Sequence, residues 1–177
     1  METGYFIYLI GISGSGKTTI ADALEAELRK KDTGRIQVID GDTIRGQFKN
    51  MFGYTYEERM KCNQAVRVVV QYLIQNGVDV ILTQVAPYEE MRRLMREQFG
   101  NRYIQVYVKC PLEICMQRDV KGYYKKAHNG KMENLNGIND VYEIPAHSHV
   151  EVDTSKEEVQ ECVKKILRYL EENNYVV

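Results

Sequence analysis

The sequence is short of nearly every feature that would mark a membrane, nucleic-acid or zinc-binding protein. Among its 177 residues, 24 Lys and Arg stand against 25 Asp and Glu, a formal net charge of −1. No global field of that size draws the chain to nucleic acid or to an acidic membrane. Cys62, Cys110, Cys115 and Cys162 form no C-x-x-C pair and share no zinc-site spacing with a histidine. Free, buried thiols in a reducing compartment are the expectation. No apolar run reaches spanning length and no basic-then-apolar leader opens the chain, so a cytoplasmic location is expected, with no membrane partner. Internal repeats and a linker are also missing. One domain over residues 1–177, long enough to bury a core, is the organisation they leave.

What is present is an alternation of β-branched runs and amphipathic segments. Strands are expected at Tyr5–Ile10, Ile36–Ile39, Val78–Thr83, Tyr103–Val108 and Val150–Val152. Thr18–Lys30 and Glu57–Gln75 carry apolar residues at one-face helical spacing. Pro87 and Pro111 each stand where a helix can begin. A last helix is expected over about Lys156–Asn173, capped by Asp153, Thr154 or Ser155, with Glu158 closing a capping box on Ser155. This pattern predicts an α/β fold, a doubly wound parallel sheet of about five strands flanked by helices. Asp119 to His149 breaks the rhythm with glycine, asparagine, lysine and tyrosine, and a loop of that length in a compact domain is usually functional.

The first strand runs into Gly11-Ile12-Ser13-Gly14-Ser15-Gly16-Lys17-Thr18, which satisfies G-x-x-x-x-G-K-S/T between a strand and a helix. Glycines let the backbone curl so that several N–H groups face one anion at the positive end of the helix. Lys17 is expected to neutralise the β and γ phosphates of ATP, and Thr18 to place its hydroxyl on Mg²⁺. The guanine-reading N-K-x-D is absent, and "VDVILTQ" ends in Thr83-Gln84 rather than in an aspartate. A GTPase and a motor-type ATPase are therefore disfavoured against a kinase acting on a small molecule.

"VIDGDTIR" closes the second strand, with Asp40 and Asp42 on either side of Gly41 at the sheet edge where ligands bind in open α/β folds. Asp42 is read as the base that orients the attacking hydroxyl, and Asp40 as the structural or metal-side partner. An acidic turn capping a helix from Thr43 is the alternative. Arg45, one turn on, and Arg59, at the head of the long helix, suit an anionic acceptor. The basic, glycine-hinged segment with Lys121, Lys125 and Lys126 can act as a lid that excludes water and offsets charge.

The order GISGSGKTT, DGDTIR, FGYTYEER, RDVKGYYKKA and NGINDVYEIP resembles the adenylyl-sulfate kinases over nearly the whole chain. The last two motifs are the most specific. The resemblance implies a three-layer P-loop nucleoside-kinase fold with a mobile lid over about 119–149, and dimers, which are common in that family. It also implies transfer of the γ-phosphate of ATP to the ribose 3′-hydroxyl of adenosine 5′-phosphosulfate, in sulfate assimilation. By the same resemblance, Gly14, Gly16, Lys17, Thr18 and Thr19 hold ATP phosphates, while Arg118 and Thr154 lie by the ATP base. Asp40, Asp42, Arg45, Phe52, Arg59 and Ile138 belong to the acceptor, and Lys121, Tyr124 and Lys125 to the lid.

The departures from the family pattern cluster on the acceptor side. Asn-Ile-Arg-Arg reads Cys62-Asn63-Gln64-Ala65, with Asn63 and Arg67 in position to compensate. Phe-Ile-Ser-Pro reads Gln84-Val85-Ala86-Pro87, and a lid phenylalanine that stacks on adenine is Leu135. An aromatic platform is worth about 1–3 kcal/mol per stacked base. Adenylyl sulfate is the default acceptor; cytidine diphosphoramidate, the substrate of a relative in capsule synthesis, is the alternative. A reading of another class is an ATP-binding regulatory subunit without turnover, against which the retained Asp42, Arg45 and lid speak.

Overall fold

The computed structural model describes residues 4–31, 35–48 and 51–176. Five strands, β1 Phe6–Ile10, β2 Arg35–Asp40, β3 Val78–Gln84, β4 Tyr103–Lys109 and β5 Val150–Asp153, form one sheet. Their order is β2-β3-β1-β4-β5 and every pairing is parallel. The helices are α1 Lys17–Lys30, α2 Gly41–Gln47, α3 Tyr56–Gln75, α4 Glu89–Phe99, α5 Leu112–Arg118, α6 Tyr123–His128 and α7 Val159–Glu172. Among the described residues no helix is long and apolar enough to cross a membrane.

Parallel strands covered on both faces need apolar residues on both sides, and β1 supplies them without interruption. Ile7 and Leu9 join Ile20, Leu24 and Leu28 of α1 and Val163 and Ile166 of α7 in one core layer. Phe6, Tyr8 and Ile10 join Val66 and Val70 of α3 and Met95 and Phe99 of α4 in the other. Burying each such side chain contributes about 1.5–3 kcal/mol. A third, smaller cluster of Cys110, Cys115, Tyr124 and Leu135 fastens the segment after α5 to the sheet. All four cysteines are buried and free.

The strand boundaries match the pattern read from the sequence to within a residue. The last helix does not. It begins at Val159, capped by Glu158, whose side chain and that of Glu161 form a reciprocal capping box. Asp153 is otherwise engaged: its carboxylate accepts from the Ser155 backbone and hydroxyl and closes a separate turn. Pro111 is the cap residue of α5, whereas α4 starts two residues beyond Pro87, at Glu89. The long segment after Asp119 is not structureless either, since it holds α6 and a short bridge between Asn136 and Asp140.

Candidate active site

The carboxyl ends of β1, β2 and β3 converge where the glycine-rich turn meets α1. Gly16 caps α1 with φ 97°, a left-handed conformation that glycine adopts without strain, and Thr154 lies against its missing Cβ. The head of α1 lines a cavity through Gly16, Lys17, Thr18 and Thr19. Lys17 folds its ammonium back over the turn, donating to the carbonyls of Gly11 (2.8 Å) and Ile12 (2.7 Å) and reaching Ser15 Oγ at 3.4 Å. Burial pulls its pKa down to about 8, although the carboxylates of Asp42 and Asp40 pull the other way. A cation held by neutral carbonyls beside an anion-shaped cradle is poised to move onto phosphate oxygens.

Asp40 has two tasks. Oδ1 accepts from the backbone of Asp42 (2.9 Å) and Thr43 (3.0 Å), so this carboxylate caps α2. Oδ2 accepts from Thr83 Oγ1 (2.9 Å) and, at 3.5 Å, from Thr18 Oγ1. Burial alone would raise the Asp40 carboxyl, but the Thr43 and Thr83 hydrogen bonds and the Lys121 charge hold it below its usual range. The capping alternative thus holds for Asp40, and the helix it caps starts at Gly41. Gly41 is required by crowding rather than by its dihedral angles: a Cβ there would stand 3.0 Å from Gln84 Cγ and 3.1 Å from the Thr83 carbonyl. Asp42 is left with its side chain free of the cap, and Lys121, just ahead of α6, donates to it. Burial would lower the Lys121 ammonium, and the Asp42 carboxylate outweighs it, so Lys121 stays charged above its ordinary range. Thr18 and Asp40 present hard oxygen donors side by side, the chemistry Mg²⁺ takes when phosphates and water complete its shell.

Two cavities meet here. The larger, about 630 Å³, runs from the cradle and Asp40 to Arg118, Thr154 and the head of α7, and it is large enough for a nucleotide. Arg118 donates to the Thr154 carbonyl (2.7 Å) and hydroxyl (3.1 Å) and to the Gly14 carbonyl (3.4 Å), tying α5 to the cradle and to the turn after β5. The Thr154 hydroxyl donates in turn to the Ser15 carbonyl at 2.8 Å. Tyr124 of α6 reaches across to the Ser13 carbonyl at 2.7 Å. The second cavity is narrow, about 40 Å³, and is lined by Arg45, Tyr54, Arg59, Tyr123 and Leu135 among others. Both guanidiniums lie near the Tyr54 ring, Arg45 at 4.7 Å and Arg59 at 5.3 Å from its centroid. Arg59, buried, is fixed by donating to the carbonyls of Tyr54 (2.8 Å) and Asn134 (2.7 Å). Ser13, Asp42, Gln84 and Val85 line both cavities.

Several expected site residues are placed elsewhere. Phe52 packs on Phe48 and lines neither cavity; Tyr54, two residues on, is the ring that does. Asn63 is fully buried, lines neither cavity, and its amide finds no partner. Arg59, one turn of α3 earlier on the same helix face, lines the narrow cavity, and Asn63 lies deeper along that face. Arg67 does not compensate either: it donates to Gln98 of α4 at 3.2 Å. Lys125 and Ile138 are exposed and line neither cavity, the former because its place on α6 faces away from Tyr124. Gly11 and Ser15 build the cradle from behind rather than lining it, while Thr19 lines it. Tyr54, Tyr123, Asn134 and Asn136 were missed from the sequence. The T-x-x-E at 55–58, a formed capping box, was the local signal that places Tyr54 just outside α3. No histidine lines either cavity.

Comparison with known proteins agrees with this geometry. The family description "Adenylylsulphate kinase" matches residues 3–153. The adenylyl-sulfate kinase of Clostridium kluyveri is 38% identical over 170 residues, covering 96% of this chain and 84% of that protein. The Pseudomonas aeruginosa adenylyl-sulfate kinase is 41% identical over 170 residues, 94% of this chain and 85% of that one. The APS kinase of Mycobacterium tuberculosis, solved in complex with AMPPNP and APS, superposes with a TM-score of 0.90 at 27% identity, covering 97% and 99% of the two chains. A family match over residues 3–153 and relatives 38–41% identical over nearly the whole chain place this chain in the adenylyl-sulfate kinase family.

Proposed function

We propose that this chain transfers the γ-phosphoryl group of ATP to the ribose 3′-hydroxyl of adenosine 5′-phosphosulfate, giving 3′-phosphoadenylyl sulfate and ADP. The observation that carries the reading is the junction of the two cavities at Asp42. A donor phosphate in the cradle and a hydroxyl in the acceptor cavity meet beside that carboxylate.

The chemistry follows from the side chains at the junction. The acceptor oxygen forms a bond to the γ-phosphorus as the bond to the bridging oxygen of ADP breaks. Asp42 accepts the proton of the attacking hydroxyl and passes it to solvent. Lys17 leaves its own loop carbonyls for the phosphate oxygens, and the α1 amides take the charge at the far end. Lys121, already at Asp42, has only to turn toward the transferring group. Thr18 and Asp40 would hold Mg²⁺, which would offset the negative charge of the phosphates. Arg45 and Arg59 suit the anionic 5′ group of the acceptor, and Tyr54 and Leu135 its base. At about 40 Å³ the acceptor cavity is far too small for a nucleotide, so Tyr123 and Leu135 must withdraw with the lid before the acceptor enters.

A coupled assay of ADP release with adenylyl sulfate beside cytidine diphosphoramidate, each at micromolar concentration, tests the reading. Turnover of adenylyl sulfate in preference to the cytidine compound is expected. Preference for the cytidine compound would overturn the acceptor, and ATP binding without turnover on either would overturn the enzyme.

A further inference from the structure

Of the four residues shared by the two cavities, Gln84 has the least obvious part. It ends β3, is 9% exposed, and its side-chain oxygen accepts from the phenol of Tyr8 in β1. Tyr8 is fully buried, and burial drives its pKa well upward, so the phenol keeps its proton. Gln84 Oε1 is the only acceptor found for that proton among the described residues. A flipped amide would strand it, at a cost that fixes which end of the amide faces the cavities. The Gln84 nitrogen is therefore the end left over. It donates to no protein group among the described residues, and it is not sealed from solvent as the orphaned amide of Asn63 is.

The stem of Gln84 lies against Gly41, and Gly41 lines the acceptor cavity alone. Any larger residue at position 41 would push Gln84 away. Gln84 and Asp42 each line both cavities, which puts the amide at the junction they share. We infer that Gln84 determines specificity for a ribonucleotide acceptor by donating a hydrogen bond to the 2′-hydroxyl oxygen, vicinal to the hydroxyl that Asp42 receives. A donor aimed at the reacting oxygen itself would tie up the lone pair that must attack. The neighbouring hydroxyl has no such conflict. Tyr8 acts through Gln84 and is a positioning residue.

This inference rests on the proposed transfer to a ribose hydroxyl, and the test separates the two. Wild-type turnover of adenylyl sulfate checks the reaction by itself. If a cytidine nucleotide is used instead, the comparison below runs on that acceptor. kcat/KM is then measured for the acceptor and for its 2′-deoxyribose analogue. Wild type should prefer the ribose form by about tenfold or more. In the double variant Tyr8→Phe/Gln84→Leu, which leaves no stranded phenol, the preference should fall to about twofold or less, with ATP affinity and thermal midpoint retained. Tyr8→Phe alone should give an intermediate preference. A wild-type enzyme with no preference would overturn the inference without any variant. So would a double variant that keeps the preference, and so would equal losses on both acceptors, which would assign the amide to the phosphoryl group instead.

Discussion

The glycine-rich cradle and the narrow cavity, proposed for donor and acceptor respectively, are built in opposite ways. The cradle is a single run, Gly11 to Thr19, in which Lys17 bonds to groups six residues away or fewer, with Arg118, Tyr124 and Thr154 bracing the turn from outside. The acceptor cavity draws on the turn after β2, Tyr54 ahead of α3, the end of β3, α6 and the segment around Leu135. A local site keeps its geometry as long as its own backbone is intact. A dispersed one depends on long-range contacts such as Arg59 with Asn134, 75 residues apart.

That contrast can be broken most directly at the cradle. Lys17→Ala should lower kcat/KM by about 10³-fold or more with the thermal midpoint unchanged, because no other residue of the run carries a positive charge. Substantial remaining turnover would mean that the cradle is not the donor site. At the junction, Asp42→Asn should cost about 10²-fold in kcat while ATP affinity is kept. An equal loss of ATP affinity in a direct binding titration would move Asp42 to the donor side. On the acceptor side, Leu135→Phe should lower the KM for adenylyl sulfate by about tenfold and leave ATP affinity alone, since a ring adds a stacking surface next to Tyr54 and Tyr123. A change in ATP affinity instead would show that the two cavities are not separable in this way.

The smallest effect lies outside both sites. Asp79 at the head of β3 is buried and accepts from the Tyr5 backbone at 3.0 Å. Burial pushes its carboxyl up to about 6, against the Tyr5 hydrogen bond and Arg102. The folded chain therefore binds that proton more tightly than the unfolded chain does. Stability from this group is greatest below the ordinary carboxylate value, falls as pH rises toward 6, and stays lower above it. Asp79→Asn keeps the acceptor oxygen and removes the charge, so it should stabilise the protein by about 2 kcal/mol at pH 7 and by about 0.5 kcal/mol or less at pH 4 in denaturant titrations. No effect on activity is expected. A variant equally stabilised at both pH values would refute the burial account.

The sequence by itself determined whatever depends on neighbours in the chain. Near-continuous apolar runs marked β1 and β4, and a β-branched core marked β3, because parallel strands buried on both faces admit little else, while the edge strands β2 and β5 carry shorter runs with exposed positions. The glycine spacing marked the cradle because one turn and one helix end suffice to build it. Asp40 was legible as a sheet-edge acid, and its second task as a cap followed the usual preference of aspartate at that position. Only the tertiary structure decided which ring lines the acceptor cavity. Phe52 and Tyr54 look alike in sequence, and the Thr55 capping box turns one toward Phe48 and the other toward the arginines. It also decided that Asn63 is sealed in while Arg59 is presented, a difference of one helical turn against α4 and the sheet. Gln84 is the clearest case. Its amide is oriented by Tyr8, 76 residues away, and its position is allowed by a glycine at the start of α2. Contacts between segments that the chain brings together only on folding leave no periodicity to read, and that is why the donor half was visible first.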